Sequence, residues 1–271
     1  HVRVYDLSGQ SWVQIGQDID GEADGDSFGW SVSLSSDGQR VAIGANQNDG
    51  NGSDSGHVRV YDLSGNNWVQ FGEDIDGEAA YDYSGQSVSL SSDGLRVAIG
   101  SIYNEGNGYD SGHVRVYDLS GNNLVQIGED IDGEDNNNLS GYSVSLSSDG
   151  SRVAIGAPYN DGNGSNSGHV RVYDLIDSSW VQIGQDIDGE TGGDKSGESV
   201  SLSSDGSRVA IGSTLNDSIN GSNSGHVRVY DLIDSSWVQI GQDIDGEAYN
   251  DRSGWSVSLS SDGQRVAIGA N

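Results

Sequence analysis

The heptapeptide His-Val-Arg-Val-Tyr-Asp-Leu, at residues 1–7, decides the fold because it is written five times along the chain. The copies begin at His1, His57, His113, His169 and His226, so consecutive starts lie 56, 56, 56 and 57 residues apart. Each unit also carries Ser-Val-Ser-Leu-Ser-Ser-Asp-Gly and Arg-Val-Ala-Ile-Gly once. A period in this range is typical of proteins built from stacked or radially arranged copies of one unit.

The composition narrows the classes of partner. The 271 residues include 42 acidic and 12 basic side chains, which gives a net charge of −30. Such a surface repels nucleic acid and anionic lipid, because both are bound through Lys and Arg. No run of about 18 apolar residues occurs, so no membrane insertion is predicted. Cys is absent, which excludes disulfides and thiol chemistry, and the lack of Met predicts a processed product or an excerpt of a longer chain.

Each unit contains four short segments in which apolar and polar residues alternate. We name them strand a (residues 31–35 in the first unit), strand b (40–44), strand c (2–5) and strand d (12–15). Alternation over four to eight residues predicts β-strands, and no segment has helical spacing. The fold is therefore predicted to be all-β, with four antiparallel strands in each unit.

The connections between strands are of two kinds. The a–b turn at residues 36–38 and the c–d turn at 7–10 are short, whereas the b–c loop (46–56) and the d–a link (18–29) are long and acidic. In an antiparallel meander both long connections lie at the same end of the sheet, which we call the long-loop face. This arrangement predicts a blade of a β-propeller, and a β-solenoid is the alternative.

The order of strands at the two ends predicts how a ring would close. The chain starts at strand c and stops after strand b, so the two terminal strand pairs together make one blade. We expect a five-bladed β-propeller in one domain, residues 1–271, closed by a velcro of the N- and C-terminal pairs; closure would remove exposed strand edges. The alternative is an excerpt of a longer array. The repeats are 1–56, 57–112, 113–168, 169–225 and 226–271.

Several of these segments resemble a known family. Phe28-Gly29, residues 31–34, 41–45 and 56–61, and Gly-Ala-Pro at 156–158 are similar to the FG-GAP repeat of integrin α subunits and secreted adhesion proteins. Elsewhere Phe-Gly is replaced by Ser-Gly. The resemblance implies a propeller, an extracellular or cell-surface location, and a role in binding or adhesion without catalysis.

The sequence departs from this family in two respects. Many members carry a calcium loop of the type Asp-x-Asp-x-Asp-Gly in the a–b hairpin, but residues 34–38 here read Leu-Ser-Ser-Asp-Gly. The family's usual calcium site is therefore not carried over. Family propellers also commonly have seven blades rather than five.

The d–a link holds the densest set of oxygen ligands. Asp18, Asp20 and Glu22 alternate, so an extended backbone would place them on one side, with Asp26 following. Ca²⁺ takes six to eight such oxygens. The predicted metal ligands are Asp18, Asp20, Glu22, Asp26, Asp74, Asp76, Glu78, Asp82, Asp130, Asp132, Glu134, Asp186, Asp188, Glu190, Asp194, Asp243, Asp245, Glu247 and Asp251. The alternative is that Asp-Gly turns and solvated loop carboxylates explain the pattern.

The repeated His and Arg residues are expected to be structural. The five His residues begin strand c, too far apart for a shared metal with bonds of about 2 Å. We therefore predict that each bonds the preceding loop at the strand edge. Arg3 and Arg40, with their repeats, are predicted to form ion pairs or to pack between blades, and an anion site is the alternative.

The differences between repeats concentrate on the long-loop face. Aromatic side chains on a polar rim stack on sugars or anchor proteins, so a protein or glycan partner is predicted there; neutral drift of loops is the alternative. The predicted ligand-binding residues are Trp30, Tyr81, Tyr142, Tyr159 and Trp255. Asn-x-Ser acceptor motifs predict glycosylation of Asn51, Asn138, Asn163, Asn216 and Asn220.

Together these features predict an extracellular structural or adhesive module, within a larger surface assembly or a longer chain. Catalysis is not expected, because no reactive group of residues appears confined to one repeat. A calcium-dependent, lectin-like carbohydrate-binding protein is the alternative, and an enzyme on the same scaffold is the third interpretation.

Overall fold

The computed structural model of the protein describes residues 1–121 and 123–271. Within these residues the regular structure consists of β-strands and no α-helix, as the period-two pattern predicted. No helix in this part of the chain is long and apolar enough to cross a membrane.

Four sheets follow one another along the chain, and each has strands a to d in antiparallel order. The first sheet contains β3 (Ser31–Leu34), β4 (Arg40–Ala45), β5 (His57–Ser64) and β6 (Asn67–Asp76). The second contains β7 (Ser84–Leu90), β8 (Arg96–Ser101), β9 (His113–Asp118), β10 (Val125–Gln126) and β11 (Ile131–Asp132). The third contains β12 (Ser143–Leu146), β13 (Arg152–Ala157), β14 (His169–Ile176), β15 (Ser179–Gln182) and β16 (Ile187–Asp188). The fourth contains β17 (Ser196–Leu202), β18 (Arg208–Ser213), β19 (His226–Ile233), β20 (Ser236–Gln239) and β21 (Ile244–Asp245).

In the second, third and fourth sheets strand d is split into two short pieces, both of which pair with strand c. The break in the second sheet contains Gly128, whose φ of 74° lies in the left-handed region. Glycine adopts this conformation without steric cost, so the residue permits a local bulge. The sequence pattern predicted strand d but not its interruption.

The chain ends form two separate hairpins. β1 (Val2–Ser8) pairs with β2 (Ser11–Ile19), and β22 (Ser256–Leu259) pairs with β23 (Val266–Gly269). Among the described residues these two pairs share no sheet, and Val32 and Leu34 of β3 stay 55% and 49% exposed. The coarser prediction, an all-β chain of four-stranded antiparallel sheets, is confirmed. The predicted velcro closure and the count of five blades are not confirmed, because no sheet joins the termini.

Serine hydroxyls of strand a fasten each sheet to the next. Ser31 Oγ donates to the Gly85 carbonyl at 2.7 Å, and Ser33 Oγ accepts from the Leu90 amide at 2.8 Å. The same two bonds recur at every later junction, through Ser87 and Ser89, Ser143 and Ser145, and Ser199 and Ser201. Polar strands therefore pack face to face because their hydroxyls find partners in the neighbouring sheet.

Apolar side chains fill the space between the sheets. Val58 and Val60 of the first sheet and Val97 and Ile99 of the second belong to one core cluster and are at most 1% exposed. On the outer strands, Trp68 Nε1 donates to the Ile15 carbonyl of the preceding hairpin at 3.0 Å. The second and third sheets are thus buried by a neighbouring sheet on each side, which makes the stability of one sheet depend on the next.

The long connections lie together, as predicted. The Gly77 amide donates to the Gly56 carbonyl at 2.8 Å, and the Tyr81 amide donates to the Ser53 carbonyl at 2.7 Å. The link that enters one sheet therefore rests on the b–c loop of the sheet before it. This contact assembles the long-loop face from neighbouring repeats.

We predict that Gly100→Ala destabilises the protein by about 1–3 kcal/mol, the usual cost of overpacking. A Cβ at Gly100 would lie 2.1 Å from the carbonyl oxygen of Gly141 in the next sheet. Gly269→Ala is the matched control, because a Cβ at the corresponding last-unit position meets at short range only the Ser256 hydroxyl of its own hairpin. Urea unfolding measures both; equal losses would contradict this account of how the sheets approach each other.

Candidate functional site

Each complete sheet carries a cluster of one histidine and two carboxylates on the long-loop face. The Glu comes from the d–a link, the His begins strand c, and the Asp comes from strand d or from the break in it. One potential ligand atom from each residue lies within 4.8 Å of the others. The clusters are Glu22–His57–Asp74, Glu78–His113–Asp130, Glu134–His169–Asp186 and Glu190–His226–Asp243.

His113 is the best-defined member of these clusters. Its side chain is fully buried, and Nδ1 lies 3.6 Å from Asp130 Oδ2 and 3.9 Å from Glu78 Oε2. Neither ring nitrogen has a hydrogen-bond partner in the described part of the chain. Burial, together with the nearby Arg115 guanidinium, lowers the pKa of His113 to about 4. The imidazole is therefore neutral at pH 7 and keeps a free lone pair for a cation.

An arginine two residues after each histidine has two arrangements. Arg59 Nη2 lies 2.7 Å from Asp74 and also contacts Glu22, so it bridges both carboxylates of its cluster. In the second sheet Arg115 turns away: its Nη2 donates to the Asp76 carbonyl at 2.7 Å, and Nη1 lies 3.8 Å from Glu78. Arg228 bridges in the manner of Arg59, whereas Arg171 donates to the Asp132 carbonyl. The carboxylates beside His113 are therefore less neutralised by guanidinium than those beside His57.

The predicted carboxylate sets do not converge on one point. In the second unit, Asp74 belongs to the cluster of one sheet and Glu78 to the cluster of the next. Asp82 is buried and accepts from the Glu78, Ala79 and Asn104 nitrogens, so it caps the link. Asp74 and Asp76 lie in the extended strand β6, whereas Glu78 follows it in the link and contributes to the cluster of the next sheet.

Histidine was not counted among the predicted metal ligands. A ring formed by all five histidines is indeed not what the structure shows, but four of them each meet two carboxylates locally. The predicted bond from the ring to the preceding loop is absent for His57 and His113 among the described residues. The signal in the sequence was that His, the Asp of strand d and the Glu of the link recur together in these four units.

A cavity of about 600 Å³ adjoins the His113 cluster. Four tyrosines line it, namely Tyr81, Tyr83, Tyr103 and Tyr109, and Glu78 belongs to both the cavity and the cluster. The rings of Tyr83 and Tyr103 meet edge to face, with centroids 5.1 Å apart and an interplanar angle of 81°. We call this cavity the tyrosine pocket.

Of the five aromatic residues predicted to bind a ligand, only Tyr81 lines the tyrosine pocket. Trp30 and Trp255 are exposed next to β3 and β22, and Lys195 Nζ covers the Tyr159 ring at 4.4 Å from its centroid. Tyr142 is half-buried. The other four predicted residues do not line this cavity, and Tyr83, Tyr103 and Tyr109, which do line it, were not among the five.

The predicted glycosylation sites stay predictions, and the structure gives their asparagines internal contacts. Asn51 Nδ2 donates to the Gly77 and Glu78 carbonyls, and Asn163 and Asn220 donate to the corresponding links. Asn138 and Asn216 are 3% and 4% exposed. A glycan on either buried amide requires the loop to open first.

Comparison with known families gives two matches. The profile described as FG-GAP repeat matches residues 19–61, 75–117 and 130–173, each running from strand d through the link to strand c. The chain contains FG-GAP repeats. The suspected family is therefore confirmed. A second profile, described as RIP homotypic interaction motif, matches residues 175–186 and 232–243, which span the c–d turns of the third and fourth sheets.

No curated protein matches the sequence significantly, but solved structures match the fold of these FG-GAP repeats. The periplasmic gluconolactonase of Pseudomonas aeruginosa is 16% identical, with a TM-score of 0.60, over 99% of this chain and 71% of that one. A proposed 6-phosphogluconolactonase of Bacteroides uniformis is 11% identical, with a TM-score of 0.50, over 96% of this chain and 81% of that one. Hydrazine synthase of Kuenenia stuttgartiensis is 15% identical, with a TM-score of 0.56. The match includes 88% of this chain but only 60% of the hydrazine synthase chain.

These matches correct the predicted function. The expected extracellular structural or adhesive module without catalysis, with a lectin-like protein as its alternative, is wrong, and so is the prediction that the protein is not an enzyme. The finding that overturns both is that structures of the same fold include proteins named as gluconolactonases. The sequence argument against catalysis rested on the absence of a reactive group confined to one repeat, and it did not consider the His, Asp and Glu clusters that recur in four sheets.

We predict that the metal-free protein loses stability as the pH falls from 6.5 towards 4. The folded pKa of His169 is lowered to about 4, mainly by burial, from an ordinary value of 6.5. Between these values the unfolded chain binds a proton that the folded chain does not, so acid favours unfolding by up to about 3 kcal/mol per histidine. Urea unfolding at pH 7 and pH 5 should show a smaller loss in His169→Gln; an equal loss contradicts the assignment.

Proposed function

We propose that the protein is a divalent-cation-dependent hydrolase that opens a neutral lactone at the Glu78–His113–Asp130 cluster. The observation that carries the proposal is the buried, neutral His113, whose Nδ1 has no hydrogen-bond partner in the described residues and faces two carboxylates at 3.6 and 3.9 Å. A buried polar atom without a partner is costly, so a ligand for it is expected.

The donor atoms fit a zinc-type ion. Bonds of 2.0–2.1 Å in tetrahedral geometry put neighbouring ligand atoms roughly 3.4 Å apart, close to the distances around His113 Nδ1. One imidazole and two carboxylates suit Zn²⁺ or Mn²⁺ better than Ca²⁺, which prefers six to eight oxygens. We therefore propose Zn²⁺ in place of the calcium expected from the carboxylates alone. Glu78, His113 and Asp130 would hold the ion, and a Zn²⁺ bound there would lower the pKa of a bound water to about 7 and would polarise a substrate carbonyl.

The residues around the cluster hold its members in place. Gln126 Nε2 donates to Asp130 Oδ1 at 2.7 Å, which leaves Oδ2 directed towards His113. Arg115 is retained beside the cluster by its bond to the Asp76 carbonyl. The Glu78 side chain is 47% exposed, so substrate has access from that side. Outer partners of this kind orient ligands and raise their affinity for metal.

The choice of a lactone rests on the fold relatives and on charge. At identities of 11–16% the two named lactonases share the fold alone, so their activity enters here only as a proposal. A sugar lactone is neutral, whereas its hydrolysis product is a carboxylate. The net charge of −30 repels that product and thus favours its release.

The scaffold and location belong to the same proposal. We propose that the sheets form a propeller whose terminal hairpins complete a fifth blade when they pair, and that the protein works outside the cytoplasm. FG-GAP repeats and the periplasmic location of one fold relative support this location.

The metal site is tested by titrating chelator-treated protein with ZnCl₂ in a calorimeter. We expect Glu78→Gln/Asp130→Asn to lose one binding event, because both charged ligands of one site are removed. Glu22→Gln/Asp74→Asn is the matched control, since Arg59 already bridges those carboxylates. Unchanged zinc binding in Glu78→Gln/Asp130→Asn would refute the proposed metal site.

The activity is tested by following acid release from glucono-δ-lactone in a pH-stat. Zinc-loaded protein should exceed the spontaneous rate, and EDTA should return it to that rate. Glu78→Gln should lower kcat/KM at least about 100-fold, because an open metal position contributes several kcal/mol to the barrier. Zinc binding without lactone hydrolysis would retain the metal site and refute the reaction.

A further inference from the structure

We propose that the tyrosine pocket binds an organic ammonium ion, a quaternary or alkylated amine. This inference goes beyond the proposed hydrolase, because it concerns a separate ligand and does not require a metal. It rests on four observations: the pocket occurs in one repeat, its charged lining is acidic, the chain already places an ammonium on a related tyrosine, and the pocket is held rigidly.

Three of the four tyrosines, Tyr81, Tyr83 and Tyr109, are specific to one repeat, whereas Tyr103 has a counterpart in Tyr159. The positions that hold Tyr83 and Tyr109 carry other residues in every other unit. The position of Tyr83 is occupied by Ser27, Leu139, Lys195 and Arg252, and that of Tyr109 by Ser53, Ser165 and Ser222. In a chain whose strands are nearly identical between units, four aromatic residues around one cavity point to a ligand at that place. The cavity of about 600 Å³ has the size of a small-molecule site.

The lining is acidic and aromatic. Glu105, Asp110 and Glu78 reach the cavity, and none of its lining residues, all of which the structure describes, is basic. Asp82 also lines it, with its carboxylate already bonded to the link. Carboxylates attract a cation, and the faces of tyrosine rings stabilise one through their quadrupoles, most of all a quaternary ammonium. An anionic ligand is disfavoured by the same charges.

The chain contains its own example of this interaction. Lys195 Nζ lies 4.4 Å from the centroid of Tyr159 and 3.0 Å from its hydroxyl oxygen. Tyr159 occupies in the third sheet the position of Tyr103 in the second, and the residue that corresponds to Lys195 is Leu139. The pocket at Tyr103 therefore receives no ammonium from this position, and we infer that a ligand supplies one.

The backbone fixes the tyrosines. Tyr81 and Tyr83 have φ values of 70° and 54°, in the left-handed region that side chains other than glycine rarely adopt. Their amides donate to the Ser53 and Asp54 carbonyls of the preceding b–c loop, which holds this conformation. A rigid pocket loses little entropy when a ligand binds.

The test is a calorimetric titration with choline in the presence of EDTA, so that metal and hydrolysis play no part. The control ligand is 3,3-dimethylbutan-1-ol, which has the shape of choline without its charge. Choline should bind with one site per chain, and the neutral alcohol at least about tenfold more weakly. Choline binding should also weaken as salt is raised, since screening reduces its attraction to Glu105 and Asp110.

We expect variants taken from the chain's own repeats to keep the fold, because another unit folds with the same residue at that position. Tyr83→Ser and Tyr109→Ser each introduce the residue that another unit has at that position, and each should weaken choline binding about tenfold or more. Tyr159→Leu, which copies Leu215, is the control and should leave it unchanged. Equal binding of choline and the alcohol, or choline binding that survives both serine variants, would overturn the proposal. Neither result bears on the zinc titration.

Discussion

The contact on which the rest of the structure depends is the approach of one sheet's strand-b glycine to the backbone of the next sheet. Gly100 leaves no room for a Cβ against the Gly141 carbonyl, and Ser87 Oγ donates to that same oxygen at 2.7 Å. This distance fixes how closely consecutive sheets pack. It thereby fixes the path of each d–a link, which has to cross from the outer strand of one sheet to strand a of the next.

The d–a links supply residues to both the His113 cluster and the tyrosine pocket. Because the link 77–84 rests on the loop of the preceding sheet, Glu78 is delivered to His113 at the head of strand c. The same link delivers Tyr81 and Tyr83 to the tyrosine pocket. The His113 cluster and the tyrosine pocket therefore adjoin each other in the second sheet, because the link 77–84 contributes residues to both. The repeated strands give every sheet a cluster, whereas the substitutions in the loops give one sheet the pocket.

The sequence predicted the parts of the fold that follow from local pattern. The alternation in Ser-Val-Ser-Leu and Arg-Val-Ala-Ile identified strands a and b, and the lengths of the connections identified the long-loop face. It did not predict the clusters, because histidine was set aside as a ligand and only carboxylates of the link were considered. The pairing of His113 with Asp130 brings together the head of strand c and the residue between β10 and β11, which lie 17 positions apart in the sequence. Closure of the ring depends on long-range geometry that no local pattern encodes.

We propose that the His113 cluster holds a cation and that the cluster bridged by Arg59 does not. X-ray diffraction from zinc-soaked crystals, recorded at the zinc absorption edge, tests it most directly. We expect an anomalous peak between His113 Nδ1, Glu78 and Asp130, and none beside His57, where the Arg59 guanidinium lies between the carboxylates. No peak at His113, or equal peaks at both clusters, would contradict it.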